Sequence, residues 1–262
     1  MIRWRRYPLL MLAPEKFAVW MTANVHRDKY GEYRYHPRSD SHSKQLCLSV
    51  LEDLIDNCPV IREQAESRSI VYGINLEVES ASGKRKTLDL AIGTPAGAPE
   101  FGAEPIATGP IEDLLFSCEA KSCMTEHSKS KPRLYDELSS SHEIVHQGWP
   151  DAIATGISVV NIASEFVSPL RQRAGQPLEV TSHKQPEAAG GMIEHLRGLR
   201  FRDSVGGVGF EAYSTIVIDC DNRGPATLWA DPPAPQPGDL DQYETYLRRI
   251  CGFWEERFPQ LR

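Results

Sequence analysis

The sequence has few of the features that mark a zinc protein, a membrane protein or an exported protein. Its six cysteines never form a Cys-x-x-Cys pair, which argues against a zinc knuckle or a dithiol redox site. No stretch approaches the roughly 20 consecutive apolar residues of a membrane-spanning helix. The apolar stretch near the N-terminus contains Pro8 and ends at Pro14 without a small-x-small cleavage site, which argues against a signal peptide. We therefore expect a cytoplasmic protein, with no membrane contact, whose cysteines are free thiols.

The chain also lacks the positive charge that many nucleic-acid-binding proteins carry. It has 29 Lys and Arg against 36 Asp and Glu, a net charge of −7 at pH 7. The bases are distributed unevenly. Residues 1–38 hold eight bases and three acids, a net charge of +5, which leaves −12 for the rest of the chain. We predict a basic N-terminal arm or a small helical lead-in over residues 1–43, in which Arg3, Arg5 and Arg6 can meet phosphate.

Two further motifs are missing. Ser139, Ser140 and Ser141 lie close to His142 and His146, but no Gly-x-Ser-x-Gly turn precedes a helix, so a serine hydrolase is not indicated. The glycine segment 204–210 has no following Lys-Ser or Lys-Thr and is not a phosphate-binding loop. At 262 residues and 40% apolar content, the chain is long enough for one large domain, and we predict a single domain over residues 1–262.

Acidic and basic side chains occur near the ends of two strand-like segments. In residues 88–93, apolar positions alternate with Asp89, and in residues 114–122 Glu119 and Lys121 fall on the same side of a strand. If the two strands are neighbours, Asp89, Glu119 and Lys121 converge at one edge of the sheet. Two carboxylates can hold a divalent cation with an ammonium beside it, which is the arrangement that phosphodiester cleavage needs.

This pattern resembles the signature of the PD-(D/E)xK nuclease superfamily. The fold of that superfamily runs helix, three antiparallel strands that carry the motif, helix and strand, and residues 44–163 show the same order of predicted elements. These are a helix at 44–57, strands at 69–80, 86–93 and 114–122, a helix at 133–147 and a strand at 155–163. One departure is the long loop 94–110 between the motif strands.

The resemblance implies an α/β fold of the restriction-endonuclease type, with a central mixed sheet flanked by helices. Residues 44–163 would form the catalytic core and residues 164–262 a C-terminal elaboration, with a strand pair at 211–222 and 226–230 and a closing helix at 240–258. The resemblance also implies a site: Asp89, Glu119 and the main-chain carbonyl of Ala120 would bind Mg²⁺. Lys121 would orient or deprotonate the attacking water, and Glu52 of the first helix would be an additional catalytic acid.

Basic residues follow the motif closely. His127, Lys129, Lys131 and Arg133 are interleaved with small hydroxyl residues at the entrance of a predicted helix, where free amides suit phosphate. We predict that these four residues contact double-stranded DNA.

The predicted function is a Mg²⁺-dependent deoxyribonuclease, with a type II restriction endonuclease as the favoured type. One motif per chain cuts one strand, so we expect a homodimer. Two alternatives remain open: a repair or mobile-element nuclease that nicks one strand, and a catalytically inert DNA-binding regulator on the same scaffold.

Overall fold

The computed structural model describes residues 11–28, 31–79, 83, 85–98, 105–169 and 179–261. Its six helices are α1 (Ala13–Ala23), α2 (Ser41–Asn57), α3 (Pro59–Glu66), α4 (His127–Gly148), α5 (Glu187–Leu196) and α6 (Tyr243–Arg257). Its strands are β1 (His26–Asp28), β2 (Gly31–Tyr33), β3 (Val71–Glu79), β4 (Arg85–Pro95), β5 (Ala107–Thr108), β6 (Ile111–Cys123), β7 (Ile153–Asn161), β8 (Glu165–Val167), β9 (Val180–Ser182), β10 (Ala212–Asp219) and β11 (Thr227–Leu228).

Seven of these strands form the central sheet, in the order β11-β10-β7-β6-β4-β3-β5. Strand β4 pairs antiparallel with both of its neighbours, β3 and β6, whereas β6, β7 and β10 run parallel. Strand β6 is therefore where the sheet changes from antiparallel to parallel pairing. The predicted fold class, α/β with a central mixed sheet flanked by helices, is confirmed.

Helices cover both faces of the sheet because the side chains of its strands alternate. Leu90, Ile157 and Ile216 pack on one side with α1, α2, α3 and α6. Ala91 and Val217 pack on the other side with α4 and α5. Parallel strands that are buried on both faces read as continuous apolar runs, and all nine residues of β7 are buried.

The predicted helices and strands of the core are all present, with shifted ends. The largest shift is at α4, which begins at His127 instead of residue 133 and continues through Pro132. Proline is disfavoured in the interior of a helix, so the prediction began the helix after Pro132. The helix instead starts after Glu126, whose φ of 54° lies in the left-handed region.

Of the two forms predicted for the N-terminal segment, an arm or a small helical lead-in, residues 13–23 form a helix, α1, that is packed against the domain. Phe17 and Met21 of this helix are buried in the core, and the Nζ of Lys16 lies 2.7 Å from Oδ1 of buried Asp53. The main-chain N–H of Ala13 also donates to Asp53. Helix α1 is thus part of the domain, because its apolar face and its lysine both have partners on α2. Arg3, Arg5 and Arg6 lie outside the described residues.

The prediction of six free thiols is wrong for two cysteines. Cys58 and Cys251 form a disulfide between the start of α3 and helix α6, with a Cα–Cα distance of 5.4 Å. Their sequence separation of 193 residues gave no spacing signal. The other four cysteines are free and buried: Cys47, Cys118, Cys123 and Cys220. Within the described part of the chain, no helix has both the length and the apolar character needed to cross a membrane.

A buried carboxylate joins several elements on the α4 side. Glu211, immediately before β10, is fully buried and is paired with the guanidinium groups of Arg202 and Arg257. It also accepts the main-chain N–H of Ala154 and lies 3.3 Å from Nε2 of His146. Burial alone would raise the pKa of Glu211, but His146 and the two arginines together lower it, so the carboxylate is ionised at neutral pH.

We expect Glu211→Ala to lower the free energy of unfolding by about 3–5 kcal/mol, because it leaves two arginines without a counter-charge in the interior. Chemical denaturation monitored by circular dichroism measures the change. The control is Glu79→Ala, which removes a carboxylate from a largely exposed pair with Arg85 and should cost about 0.5 kcal/mol or less. Equal effects of the two substitutions would contradict the expectation.

Candidate active site

Asp89 and Glu119 lie where the two central strands β4 and β6 separate. The strands pair from Pro95 and Ile111 as far as Leu90 and Cys118, and the antiparallel register makes Asp89 and Glu119 the next residues to face each other. Here the main-chain N–H of Ala120 donates to Oδ2 of Asp89 at 2.8 Å. The side chain of Asp89 thus accepts this main-chain N–H where the backbone pairing of the two strands ends. We call the opening between β4 and β6 beyond this point the fork.

The regular alternation of β4 breaks at this fork. Leu90 packs on the α2 side and Ala91 on the α4 side, as the sequence pattern predicts, but Leu88 packs on the α4 side as well. On the neighbouring strand Asn75, at the position facing Asp89, has a φ of 53°. The same irregular stretch of β4 brings Lys86 to Glu119.

Glu119 is the most buried charged group of the site, with an exposed fraction of 4%. Its Oε1 lies 2.7 Å from Nζ of Lys121, and its Oε2 lies 3.3 Å from Nζ of Lys86. The hydroxyl of Ser141 on α4 donates to the same Oε2 at 3.3 Å. Both oxygens of the buried carboxylate therefore have partners, as a buried charge requires.

The pKa values show how closely the charges of the site interact. Burial and the nearby Glu119 raise the pKa of Asp89 to about 6, although the Ala120 N–H, Lys121 and Lys86 act in the opposite direction. Burial would lower the pKa of Lys121, but attraction to Glu119, Asp89 and Glu137 outweighs it and the pKa is raised. Lys121 is therefore an ammonium at neutral pH in this arrangement.

The donor set at the fork suits a hard cation. Among the described residues there is no group of three or more His, Cys, Asp and Glu side chains placed to hold a metal ion. Mg²⁺ commonly takes only one or two carboxylates and keeps several waters. Asp89 and Glu119 supply two carboxylates from neighbouring strands, which is the number that such a site uses.

The structure brings Asp89, Glu119, Ala120 and Lys121 together, but it does not bring Glu52 to them. Glu52 lies 3.0 Å from Nζ of Lys16 and shares that lysine with Asp53. This position does not support its predicted role as an additional catalytic acid. Helix periodicity placed Glu52 beside the buried stripe, and the lysine of α1 that it meets there lay in the segment predicted to be an arm or a small helical lead-in.

Helix α4 presents one line of polar side chains to the site. Lys129, Arg133, Glu137 and Ser141 are spaced by four residues and so lie on one face of the helix. Ser141 contacts Glu119, Oε2 of Glu137 lies 3.7 Å from Nζ of Lys121, and Arg133 lies 3.8 Å from Glu137. The side chains of Lys129 and Arg133 are 79% and 68% exposed. We call these four residues the α4 stripe.

The other two predicted DNA-binding residues point elsewhere. His127 is 2% exposed, and its Nε2 lies 2.7 Å from the carbonyl oxygen of Asn161, so it is a core residue and its predicted DNA contact is wrong. Burial also lowers the pKa of His127. Lys131 lies against α5, where a Cβ atom on Gly191 would come within 2.8 Å of its Nζ.

Sequence reasoning missed three residues of the site, namely Lys86, Glu137 and Ser141. A helical spacing of four from Arg133 would have found Glu137 and Ser141. Lys86 gave no such signal, because strict alternation places it on the opposite face of β4 from Asp89.

Comparison with known proteins identified no relative of this chain. The chain matches no protein-family model, and no significant similarity to a curated protein or to a solved structure was found.

We expect His127→Ala to lower the free energy of unfolding by about 1–3 kcal/mol, because it removes a buried hydrogen bond and leaves the Asn161 carbonyl without that donor. DNA affinity per folded molecule should not change. Thermal denaturation and a filter-binding titration measure the two quantities. Lys129→Ala is the control, since its exposed side chain should leave stability unaltered. A large loss of affinity in His127→Ala without a loss of stability would restore the DNA-contact interpretation.

Proposed function

We propose that the chain is a Mg²⁺-dependent endonuclease that hydrolyses phosphodiester bonds of double-stranded DNA in the cytoplasm, and that it is a type II restriction endonuclease. The observation that supports this proposal is the fork, where two carboxylates from neighbouring strands face each other beside a lysine. The order of helix, three antiparallel strands, helix and parallel strand around it supports the resemblance to the PD-(D/E)xK superfamily.

Each residue of the fork has a defined task in this proposal. Mg²⁺, when bound, would neutralise charge on the scissile phosphate and lower the pKa of its bound water. Asp89 and Glu119 supply carboxylate oxygens, and the carbonyl of Ala120 is the proposed third protein ligand. The Ala120 N–H holds Asp89 in place through its 2.8 Å hydrogen bond. Lys121, anchored between Glu119 and Glu137, orients the attacking water.

The α4 stripe gives an acidic protein a local surface for a polyanion. Arg133 is connected to Lys121 through Glu137, so its guanidinium lies one helical turn from the site. Lys129 continues the same face by one further turn and is the more exposed of the two bases. We propose that these two residues contact the DNA backbone next to the scissile bond. A homodimer would place one such site on each strand of the duplex.

The central test is cleavage of plasmid and genomic DNA by the wild type, Asp89→Ala, Glu119→Ala and Lys121→Ala. We expect Mg²⁺ and Mn²⁺ to support a banded digest by the wild type, whereas Ca²⁺ supports binding with little cleavage. The three variants should lose cleavage, and Lys121→Ala should retain DNA binding. Asp113→Ala, which removes an exposed acid at the other end of β6, is the matched control and should cut normally.

The outcomes of this test separate the alternatives. Wild-type turnover by Lys121→Ala, or full activity in excess chelator, would contradict the site. Accumulation of nicked circles by a protein that sediments as a monomer on DNA would indicate a single-strand nuclease. If the protein binds DNA but none of the divalent metals supports cleavage, it is an inert DNA-binding protein.

The α4 stripe allows a second test. We expect Lys129→Ala with Arg133→Ala to weaken binding to cognate and random DNA alike, because phosphate contacts carry no sequence information. The slope of log affinity against log salt should fall by about two units, roughly one for each contact. Lys131→Ala is the control, since it removes one positive charge from the same helix on the α5 side and should leave the salt slope unchanged. Equal slopes for the double variant and the wild type would place the DNA surface elsewhere.

A further inference from the structure

We propose that Lys86 is a second functional lysine of this site: it holds Glu119 before a metal binds, and it then moves to a phosphate oxygen of the bound DNA. This inference rests on the proposed function. Its basis is the ion pair between Nζ of Lys86 and Oε2 of Glu119, at 3.3 Å. The lysine side chain is 14% exposed and the carboxylate 5%, so the pair is largely buried and still reaches solvent.

A cation bound at the fork would compete with Lys86 for Glu119. Asp89, Glu119 and Glu137 contribute three negative charges, and Lys86, Lys121 and Arg133 contribute three positive charges, so the group is balanced. A divalent cation at the two carboxylates would leave an excess of two positive charges in a partly buried site. The repulsion falls if one ammonium leaves and meets an anion, and the phosphate of the substrate is the anion that arrives.

Lys86 is the ammonium that would leave. Lys121 has a second carboxylate, Glu137, at 3.7 Å, which holds it beside the site when Glu119 binds a metal. Within the residues that the structure describes, Glu119 is the carboxylate that pairs with Lys86. Once Glu119 is taken by the metal, Lys86 has lost its counter-charge, and its long flexible side chain starts from the hairpin of β3 and β4, beyond the point where β4 leaves β6.

The role proposed for Lys86 is electrostatic. Its ammonium would bind a non-bridging oxygen of the scissile phosphate or of its neighbour, and it would supply positive charge on the side of the fork opposite Lys121. The simpler alternative is a fixed counter-ion that only makes burial of Glu119 tolerable. The two roles differ in what happens to metal affinity and DNA affinity when the lysine is removed.

The experiment compares Lys86→Met and Lys86→Arg with the wild type. Isothermal titration calorimetry of the DNA-free protein with Mn²⁺ measures metal affinity, and a salt-dependent DNA titration in Ca²⁺ measures phosphate contact without cleavage. Lys86→Met should bind Mn²⁺ about tenfold more tightly, because a competing cation is gone. It should bind DNA about threefold to tenfold more weakly, with a salt slope lower by about one unit. Lys86→Arg, which keeps the charge, should restore both values towards those of the wild type.

Arg85→Met is the matched control. It removes one positive charge from the neighbouring residue, which pairs with Glu77 and Glu79 and is largely exposed. Its Mn²⁺ affinity should equal that of the wild type. Circular dichroism and thermal denaturation confirm that each variant is folded before it is titrated.

The outcomes distinguish this inference from the proposed function. If the wild type binds Mn²⁺ and cleaves DNA but Lys86→Met has unchanged metal and DNA affinities, only the inference is overturned. A lower Mn²⁺ affinity in Lys86→Met would also overturn it, and so would an equal gain in Arg85→Met. If the wild type neither binds Mn²⁺ nor cleaves DNA, the proposed function fails and the inference fails with it.

Discussion

A carboxylate in the middle of a sheet must be neutralised, and the surroundings of Glu119 follow from that requirement. With 4% of its surface exposed, its charge is tolerated only because each of its oxygens meets an ammonium and Ser141 supplies a further hydrogen bond. These partners come from β4, from β6 itself and from α4. The position of the hairpin and the position of the helix are therefore linked through one side chain.

The topology explains why helix α4 lies over these residues. Strand β7 runs parallel to β6, so the connection between them has to cross one face of the sheet and return to the same end. Helix α4 is that crossover, and it packs over the side chains of β6 that point to this face, which include Glu119. On the opposite face α1, α2, α3 and α6 cover the sheet with apolar side chains and the buried Lys16–Asp53 pair. The site thus lies on a strand that is supported from both sides.

Much of this arrangement is predictable from the sequence, because hydrophobic periodicity marks strands and helices well. The central mixed sheet was an implication of the family resemblance, and the pairing of the Asp89 strand with the Glu119 strand was a condition of the predicted site that the register of β4 and β6 meets. The errors arise where local geometry departs from period two or where partners are distant in sequence. The contact of Lys86 with Glu119 depends on an irregular stretch of β4. The ion pair of Glu52 is made with Lys16, which lies 36 residues earlier in the chain. The Cys58–Cys251 disulfide joins residues with no recognisable spacing. His127 was predicted to be a surface base because it lies in a polar segment, where no apolar pattern in the sequence indicates that its imidazole is buried.

The edges of the sheet limit how two copies of the chain can associate. Both outermost strands, β5 and β11, are only two residues long as described, and on the outer side of β10 the main-chain N–H of Thr215 donates to the carbonyl oxygen of Asp241. The outer side of β3 beyond Tyr72 is interrupted by the left-handed Asn75 and carries Glu77 and Glu79. Short, bent and charged edges resist the addition of another strand. A dimer of this chain would therefore form through helices and connecting segments, and a continuous intermolecular sheet is disfavoured.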